Sequence, residues 1–226
     1  MEHLTLVQKL AALLLPLIFA ITVHEAAHGW VADRLGDHTA RSLGRITLNP
    51  LKHIDWVGTV LLPMAMFALT GFMFGWAKPV PVDPRNLHNP RRDMALVAVA
   101  GPGVNLLMAL IWSVLVLVGQ GLLASLPEVA VPLVFMGAAG VFINVILMAL
   151  NLIPLPPLDG GRVVTGLLPL GYARAFAKIE PYGLPILIGL LVTGLLGWFL
   201  WPIVQATIQL LPASGVVFDL FPLLIQ

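Results

Sequence analysis

The stretch that decides the fold of this chain is residues 10–28, which read LAALLLPLIFAITVHEAAH. Residues 10–23 are apolar apart from Thr22, and three ionisable residues follow at once: His24, Glu25 and His28. About 20 apolar residues are enough for a helix to cross a bilayer. Ionisable side chains at membrane depth are costly and are kept mostly for function. The stretch therefore predicts a membrane helix with a functional polar cluster near one end.

Composition places the whole chain in a membrane. Of its 226 residues 59% are hydrophobic and 10% are charged, whereas a soluble domain carries about 25% charged residues. A net charge of +1 offers no basic surface for nucleic acid, so we exclude nucleic-acid binding. The chain has no cysteine, so any metal ion must be bound by His, Asp or Glu.

Five segments are apolar and long enough to be membrane candidates, namely residues 6–31, 57–76, 94–118, 131–153 and 184–211. We predict an all-α polytopic membrane protein with four to six transmembrane helices. It should form a single integral-membrane domain over residues 1–226, with a catalytic core at about 6–165 and a C-terminal helix at about 184–211. Because helical polar residues follow the first apolar run without a cleavage site, that run is not read as a signal peptide.

The basic residues suggest an orientation for these segments. Lys and Arg prefer cytoplasmic loops, and here they follow the first, second and fourth segments, as Arg34, Arg41, Arg45 and Lys52, then Lys78, Arg85, Arg91 and Arg92, then Arg162, Arg174 and Lys178. The rule holds for all three groups if residues 57–76 do not cross. Gly58, Pro63, Gly71 and Gly75 interrupt that segment, so we predict a re-entrant segment, four crossings and basic loops inside. A full crossing that breaks the charge rule stays open.

The polar cluster has the spacing of a metal site. Residues four apart share a helix face, so His24 and His28 can bind one ion. Glu25 lies about 100° round the helix, where it can reach a water molecule at the metal. This is the HExxH pattern of zinc hydrolases.

A catalytic zinc site normally has three protein ligands, and Asp159 is our candidate for the third. It lies in residues 151–161, which read NLIPLPPLDGG. The prolines end the fourth segment near its inner end, at the depth predicted for His24 and His28. The alternative is that Asp159 only caps the helix that follows.

Together these motifs resemble the site-2 protease family, intramembrane zinc metalloproteases that cleave transmembrane helices. The likeness runs from about residue 21 to 164. It implies one Zn²⁺ per chain held by His24, His28 and Asp159, with Glu25 as the catalytic acid–base. Asn151 matches the family Asn that binds substrate or stabilises the oxyanion, while GPGVN at 101–105 and GWAKPVPV at 75–82 match two further signatures. No PDZ-sized insertion is present, as in the compact members.

The resemblance implies hydrolysis of peptide bonds within or near membrane helices, as in regulated intramembrane proteolysis. Substrate would unwind and could add to a sheet edge, so we predict short membrane-associated β-strands at residues 41–48 and 77–82. Asn105, Lys78, Pro79 and Val80 are candidate substrate-binding residues. Asn105 is a less specific oxyanion donor than Asn151, and Asn144 is read as structural glue between helices.

Three other functions compete with this interpretation. An intramembrane metal transporter would use the same ligand types, but it predicts polar residues through both leaflets, and the outer halves of the segments hold almost none. A serine protease lacks a His near Ser113 in the sequence, and a silent scaffold would not need the ligand set. We expect membrane-protein substrates, a lipid bilayer and a prokaryotic cell membrane, with the active site toward the cytoplasm. Substrate identity and oligomeric state stay open.

Overall fold

The computed structural model describes residues 6–62, 64, 65, 68 and 75–224. Its helices, in chain order, are α1 (Leu6–Arg34), α2 (Thr39–Ser42), α3 (Pro90–Leu122), α4 (Pro127–Asn151), α5 (Asp159–Leu167), α6 (Leu170–Ala177), α7 (Glu180–Val192), α8 (Leu195–Gln209) and α9 (Ser214–Leu224). Short 3₁₀ turns lie at Pro50–His53 and Pro84–Asn86, and a π-helix lies at Trp56–Leu61.

Three of these helices are long and apolar enough to cross a membrane. They are α1 from Ala11 onward, α3 and α4, and the bent pair α6 and α7 would make a fourth span if taken together. Large apolar side chains such as Leu14, Phe19, Leu107 and Ile111 are exposed on the outer faces of α1 and α3, as lipid contact requires. The prediction of a helical polytopic membrane protein is confirmed. The predicted count of four to six spans is not established by the described residues.

The spans form one bundle with α4 at its centre. Helices α3 and α4 pack as a hairpin, and α1 packs against both. Contacts pair residue 24 with 105 and residue 28 with 97, so α1 runs antiparallel to α3. On the other side of α4, buried apolar residues of α8 and α9 complete the core, including Leu200, Val204, Ile208 and Val217. The C-terminal end of α1 therefore lies beside the N-terminal end of α3.

Helix ends follow local chemistry. Helix α3 begins with Pro90 in its first turn, and the carboxylate of Asp93 accepts a hydrogen bond from the Asn89 N–H at 2.7 Å. A proline fits the first turn because the N–H that it lacks would have no helical partner there. Pro127 plays the same part at the start of α4.

The C-terminal segment departs from the prediction. Residues 184–211 were expected to form one helix, but α7 ends at Val192 and α8 begins at Leu195. Gly194 lies between them with φ +77°, a left-handed conformation that glycine adopts without a steric penalty. The prediction of one continuous helix is wrong because this residue turns the chain.

Neither predicted β-strand is confirmed, since no strand occurs among residues 6–62 and 75–224. Arg41 and Ser42 belong to α2, and Gly44, with φ +62°, makes a turn after them. Residues 77–82 lack helical structure, but their backbone groups bond to side chains and to a turn rather than to a neighbouring strand. A strand needs a ladder partner, whereas the Lys78 N–H, the Lys78 and Pro79 carbonyls and the Val80 N–H all bond to other groups.

The two ends of the second apolar segment touch. The Trp76 N–H donates to the Gly58 carbonyl at 3.0 Å, and the Thr59 hydroxyl donates to the Trp76 carbonyl at 2.9 Å. Residues 63, 66, 67 and 69–74 of this segment lie outside the described residues. Residue 76 therefore lies beside residues 58 and 59.

Asp37 ties the end of α1 to the loop before α3. Its buried carboxylate accepts hydrogen bonds from the Thr39 hydroxyl, the Asn86 amide and the Asp83 N–H. Burial disfavours the charged form, but the hydrogen bonds from Thr39, Asn86 and Asp83 outweigh it and lower the pKa of Asp37. The loops at residues 37–39 and 83–86 are thereby held together.

Candidate metal centre

Helix α1 brings His24 and His28 together on its buried face, as the four-residue spacing predicts. Their Nε2 atoms are 3.1 Å apart, and both rings are buried in the bundle. The ring planes are nearly perpendicular. Two imidazole nitrogens therefore point at one position beside α1.

Asp159 reaches the same position from another element. It is the first residue of α5, and its Oδ2 lies 3.2 Å from the Nε2 atom of each histidine. The loop after α4 folds tightly over α5, since a Cβ on Gly160 would lie 2.4 Å from the Ile153 carbonyl oxygen. Only glycine permits that approach, which explains the small residues after Asp159.

The three atoms have the dimensions of a zinc site. Their separations of 3.1, 3.2 and 3.2 Å form a nearly equilateral triangle. Zinc binds nitrogen and oxygen at about 2.0–2.1 Å in a tetrahedron, whose edges are then about 3.3 Å. His24, His28 and Asp159 can therefore occupy three corners and leave the fourth open.

The proton positions on the histidines also suit a metal ion. Nδ1 of His28 lies 2.7 Å from the Val97 carbonyl, which can only accept, so Nδ1 carries the hydrogen and Nε2 a lone pair. The Asp159 Oδ2 atom is buried and has no hydrogen-bond donor. Lone pairs that converge without a donor are stabilised by a cation.

A chain of two asparagines sets the proton position on His24. The Asn144 amide donates to the Gly140 carbonyl at 2.8 Å, so its oxygen is left to accept from the Asn105 amide at 2.9 Å. The Asn105 oxygen then faces Nδ1 of His24 at 2.5 Å and accepts its hydrogen. Nε2 of His24 is thereby free for the metal position.

This network corrects the expectation for Asn105. Asn105 was predicted to bind substrate, but it is 0% exposed, and both ends of its amide are occupied. It lies behind His24, where a substrate chain cannot contact it. Asn144, predicted as structural glue, is the next member of the same network.

Gly101 lets α3 approach the two histidines. A Cβ at this position would lie 2.5 Å from Cε1 of His24 and 2.6 Å from Cε1 of His28. Two residues further on, a Cβ on Gly103 would meet nothing within 4 Å. The first glycine of the GPGVN signature therefore makes room for the ligand rings.

Glu25 lies beside the triangle and accepts a backbone hydrogen bond. The Val80 N–H donates to its Oε2 at 2.7 Å. Lys78 and Pro79 lie in the same segment, and the Lys78 N–H donates to the His53 carbonyl at 2.9 Å. The segment that was predicted to bind substrate thus contacts the predicted acid–base residue.

Asn151 lies at the C-terminal end of α4. One hydrogen of its amide is donated to the Leu147 carbonyl at 3.0 Å, within its own helix. An amide group has a second hydrogen to donate. Its predicted role at the oxyanion stays a prediction.

For four groups at the site the sequence did not predict the contact that the structure shows. They are the Arg45 side chain, which donates to the Lys78 and Pro79 carbonyls, the Val97 carbonyl, the Val80 N–H and the Asn144 amide. Arg45 counted only as a loop charge, and nothing in the sequence separates it from Arg41. The Val97 carbonyl and the Val80 N–H are backbone groups, for which no side-chain signal exists. Asn144 was predicted to bond between helices, because an Asn on an otherwise apolar helix must find a partner, but its link to His24 through Asn105 was not.

Fold and site together define a membrane metallopeptidase, with a zinc-sized ligand triangle inside a bundle of apolar helices. The chain belongs to Peptidase family M50, which it matches over residues 12–134 and 128–194. It is a zinc metallopeptidase of the site-2 type.

Curated relatives agree with that assignment. The chain is 40% identical over 195 residues to "Putative zinc metalloprotease YwhC" of Bacillus subtilis, and the aligned region covers 86% of each of the two proteins. It is 33% identical over 184 residues to "Putative zinc metalloprotease Rip2" of Mycolicibacterium smegmatis, over 80% of this chain and 67% of that one. The Mycobacterium tuberculosis protein of the same name is 32% identical over 187 residues, with the same coverage. No solved structure matches this chain.

Proposed function

We propose that this protein hydrolyses peptide bonds within or near transmembrane segments of membrane-protein substrates. The observation that carries the proposal is the ligand triangle of His24, His28 and Asp159, built inside a helix bundle with Glu25 beside it. A protease whose metal position lies among membrane-spanning helices is suited to substrates that arrive through the bilayer. Regulated intramembrane proteolysis is the process that we expect it to serve.

Each polar side chain has a role in this reaction. His24, His28 and Asp159 would hold one zinc ion, which when bound polarises the scissile carbonyl and acidifies a water molecule. Glu25 takes a proton from the attacking water and returns it to the leaving amine. Asn151 donates its second amide hydrogen to the developing oxyanion, a contact typically worth about 3 kcal/mol. Asn105 holds His24 in the tautomer that leaves Nε2 unprotonated.

Orientation in the membrane belongs to the same proposal. We propose that the second apolar segment is re-entrant. The hydrogen bond between Trp76 and Gly58, described residues at its two ends, supports this, while residues 63, 66, 67 and 69–74 lie outside the described part of the chain. The ligand triangle lies near the C-terminal ends of α1 and α4, the side on which the basic loops emerge. The positive-inside rule then places the site toward the cytoplasm of a prokaryotic cell.

Residues 78–80 are also proposed to bind substrate, and the bonds that they already make limit how they can do so. The Lys78 and Val80 N–H groups are already bonded, and Pro79 has no backbone N–H. An extended substrate added here would therefore use the second lone pairs of the carbonyls or the flanking residues 77 and 82.

The proposal is tested by comparing membrane proteomes of cells that make the wild-type protein or the Glu25→Gln variant. Membrane proteins shortened only by the wild type are the expected substrates. The purified Glu25→Gln protein should keep its zinc, whereas Asp159→Ala should lose it, as measured by metal analysis. Cleavage that persists in Glu25→Gln cells would exclude the acid–base role of Glu25.

A further inference from the structure

Arg45 is a buried arginine whose partners are carbonyl groups. It is 9% exposed, and its Nη2 donates to the carbonyl oxygens of Lys78 at 2.9 Å and Pro79 at 3.2 Å. Among the described residues it forms no ion pair, unlike Arg41 and Arg85, which pair with aspartates. Burying a cation is costly unless it is paired and hydrogen-bonded. The bonds of Nη2 offset part of that cost, while the buried Nε of Arg45 has no hydrogen-bond partner.

The backbone that Arg45 holds continues directly to Glu25. Residues 78 and 79 point their carbonyls at Arg45, and the next N–H, that of Val80, donates to Oε2 of Glu25 at 2.7 Å. The Lys78 N–H is fixed to the His53 carbonyl. Arg45 and Glu25 are therefore linked indirectly, through the two peptide units between Lys78 and Val80 to which both side chains bond.

A notch in α1 fixes the Val80 side chain. A Cβ on Gly29 would lie 3.0 Å from Cγ1 of Val80 and 3.1 Å from Cγ1 of Ile46. Gly29 is four residues after Glu25, so it shares the Glu25 face of the helix. Val80 is buried in this notch, which sets the height at which its N–H meets the carboxylate.

We propose that Arg45 is a positioning residue: it clamps residues 78–80 so that the Val80 N–H orients the carboxylate of Glu25. The inference rests on the proposed acid–base role of Glu25. A base works best when a third group fixes its direction, and an N–H bonded to a carboxylate is a strong, charge-assisted contact. Oε2 is held by Val80, which leaves Oε1 to receive the proton of the attacking water.

Amide hydrogen exchange tests the clamp without any substrate. Pro79 and Pro81 have no N–H, so residues 77–82 carry only four amides, those of Ala77, Lys78, Val80 and Val82. Overlapping peptides that cover this segment therefore report on Lys78 and Val80 with little dilution. In zinc-loaded protein in lipid nanodiscs, Arg45→Met should raise exchange of this segment by about tenfold. Without the bonds from Arg45 to its carbonyls, the segment opens more often and its amides leave their acceptors, the His53 carbonyl and Glu25. Peptides from α4 should keep their protection, which excludes general unfolding.

Arg85→Met is the matched control, since Arg85 is exposed and pairs with Asp83 just beyond the clamped segment. It should leave exchange at residues 77–82 unchanged. The clamp is refuted if Arg45→Met leaves that exchange at the wild-type level while α4 stays protected.

Turnover tests the link to Glu25, with a purified substrate from the proteome comparison. Val80→Pro removes the N–H that donates to Oε2 of Glu25. We expect this variant and Arg45→Met each to lower kcat by about tenfold to a hundredfold. If the two substitutions act through the same hydrogen bond to Glu25, the kcat of the double variant should be little lower than that of either single variant. Zinc content should stay at one per chain, and Arg45→Lys should restore part of kcat and of the exchange protection.

Two results would overturn the link. Additive losses would mean that Arg45 and Val80 act separately, and a rise in kcat would mean that the contact restrains Glu25. Absence of any wild-type substrate would instead count against the proposed function, while the exchange measurement would still decide whether Arg45 holds the segment.

Discussion

Asn105 determines which nitrogen of His24 can bind a metal. The Gly140 carbonyl accepts from the Asn144 amide, and the Asn144 oxygen accepts from the Asn105 amide. The Asn105 oxygen then accepts from Nδ1 of His24. A backbone carbonyl cannot donate, so each amide in the chain has one orientation. For His28 the Val97 carbonyl accepts directly from Nδ1, which leaves Nε2 of that ring unprotonated as well. At the residue scale, the site depends on groups that never contact the metal position.

Loss of this orientation should weaken zinc binding. Asn105→Leu leaves Nδ1 of His24 without an acceptor, and such supporting contacts are typically worth about tenfold to a hundredfold in metal affinity. Chelator competition on the purified protein measures the change. Asn144→Leu should give a smaller loss in the same direction.

Ser113→Ala is a suitable control for this pair. Ser113 is also a buried polar residue of α3, but its hydroxyl accepts from the Ala213 N–H, away from the histidines. It should leave zinc affinity unchanged. Wild-type affinity in Asn105→Leu would show that His24 does not need this acceptor.

At the element scale, the packing of α3 against α1 makes the metal site. The helices cross where Gly101 faces both histidine rings, with no space for a side chain. The site is therefore sensitive to the distance between the helices, and a single methyl group is enough to disturb it.

Two glycines of α3 allow that sensitivity to be measured. Gly101→Ala should displace the His24 and His28 rings and abolish stoichiometric zinc binding, because its Cβ would lie within 2.6 Å of both. Gly103→Ala should bind zinc normally, since its Cβ meets nothing within 4 Å. Metal analysis and melting temperature of the two variants give the comparison. Equal zinc content in both would contradict the close approach.

The whole molecule depends on how the chain is threaded through the bilayer. Helix α3 separates the loop at residue 85 from the turn at residue 125, and the second apolar segment separates residue 52 from residue 85. A re-entrant segment puts residues 52 and 85 on one side, and a crossing segment puts them on opposite sides. The answer decides from which side water reaches the site.

Cysteine labelling can settle the topology cleanly, because the chain has no cysteine of its own. In intact cells, an impermeant thiol reagent should label Ser125→Cys but neither Lys52→Cys nor Arg85→Cys. Permeabilised cells should allow all three to react. Labelling of one of positions 52 and 85, but not the other, in intact cells would mean that residues 57–76 cross the membrane.

Much of this protein could be predicted from local sequence. The membrane class follows from composition, and the pairing of His24 with His28 follows from the rigid period of a helix. Asp159 was found because prolines and glycines mark where a helix ends and the chain turns sharply. The break at Gly194 was not foreseen, because a glycine within an apolar run is compatible with a continuous helix or with a turn.

What the sequence by itself determined is therefore the set of chemical groups and their local spacing. Tertiary structure alone decided that Asn105 supports His24 across 81 residues, that Val80 meets Glu25 across 55, and that Arg45 holds Lys78 across 33. Local periodicity comes from the covalent geometry of the chain, which any sequence carries with it. Contacts between distant residues arise only when helices pack, because burial forces each polar group to find a partner among those that the fold brings near.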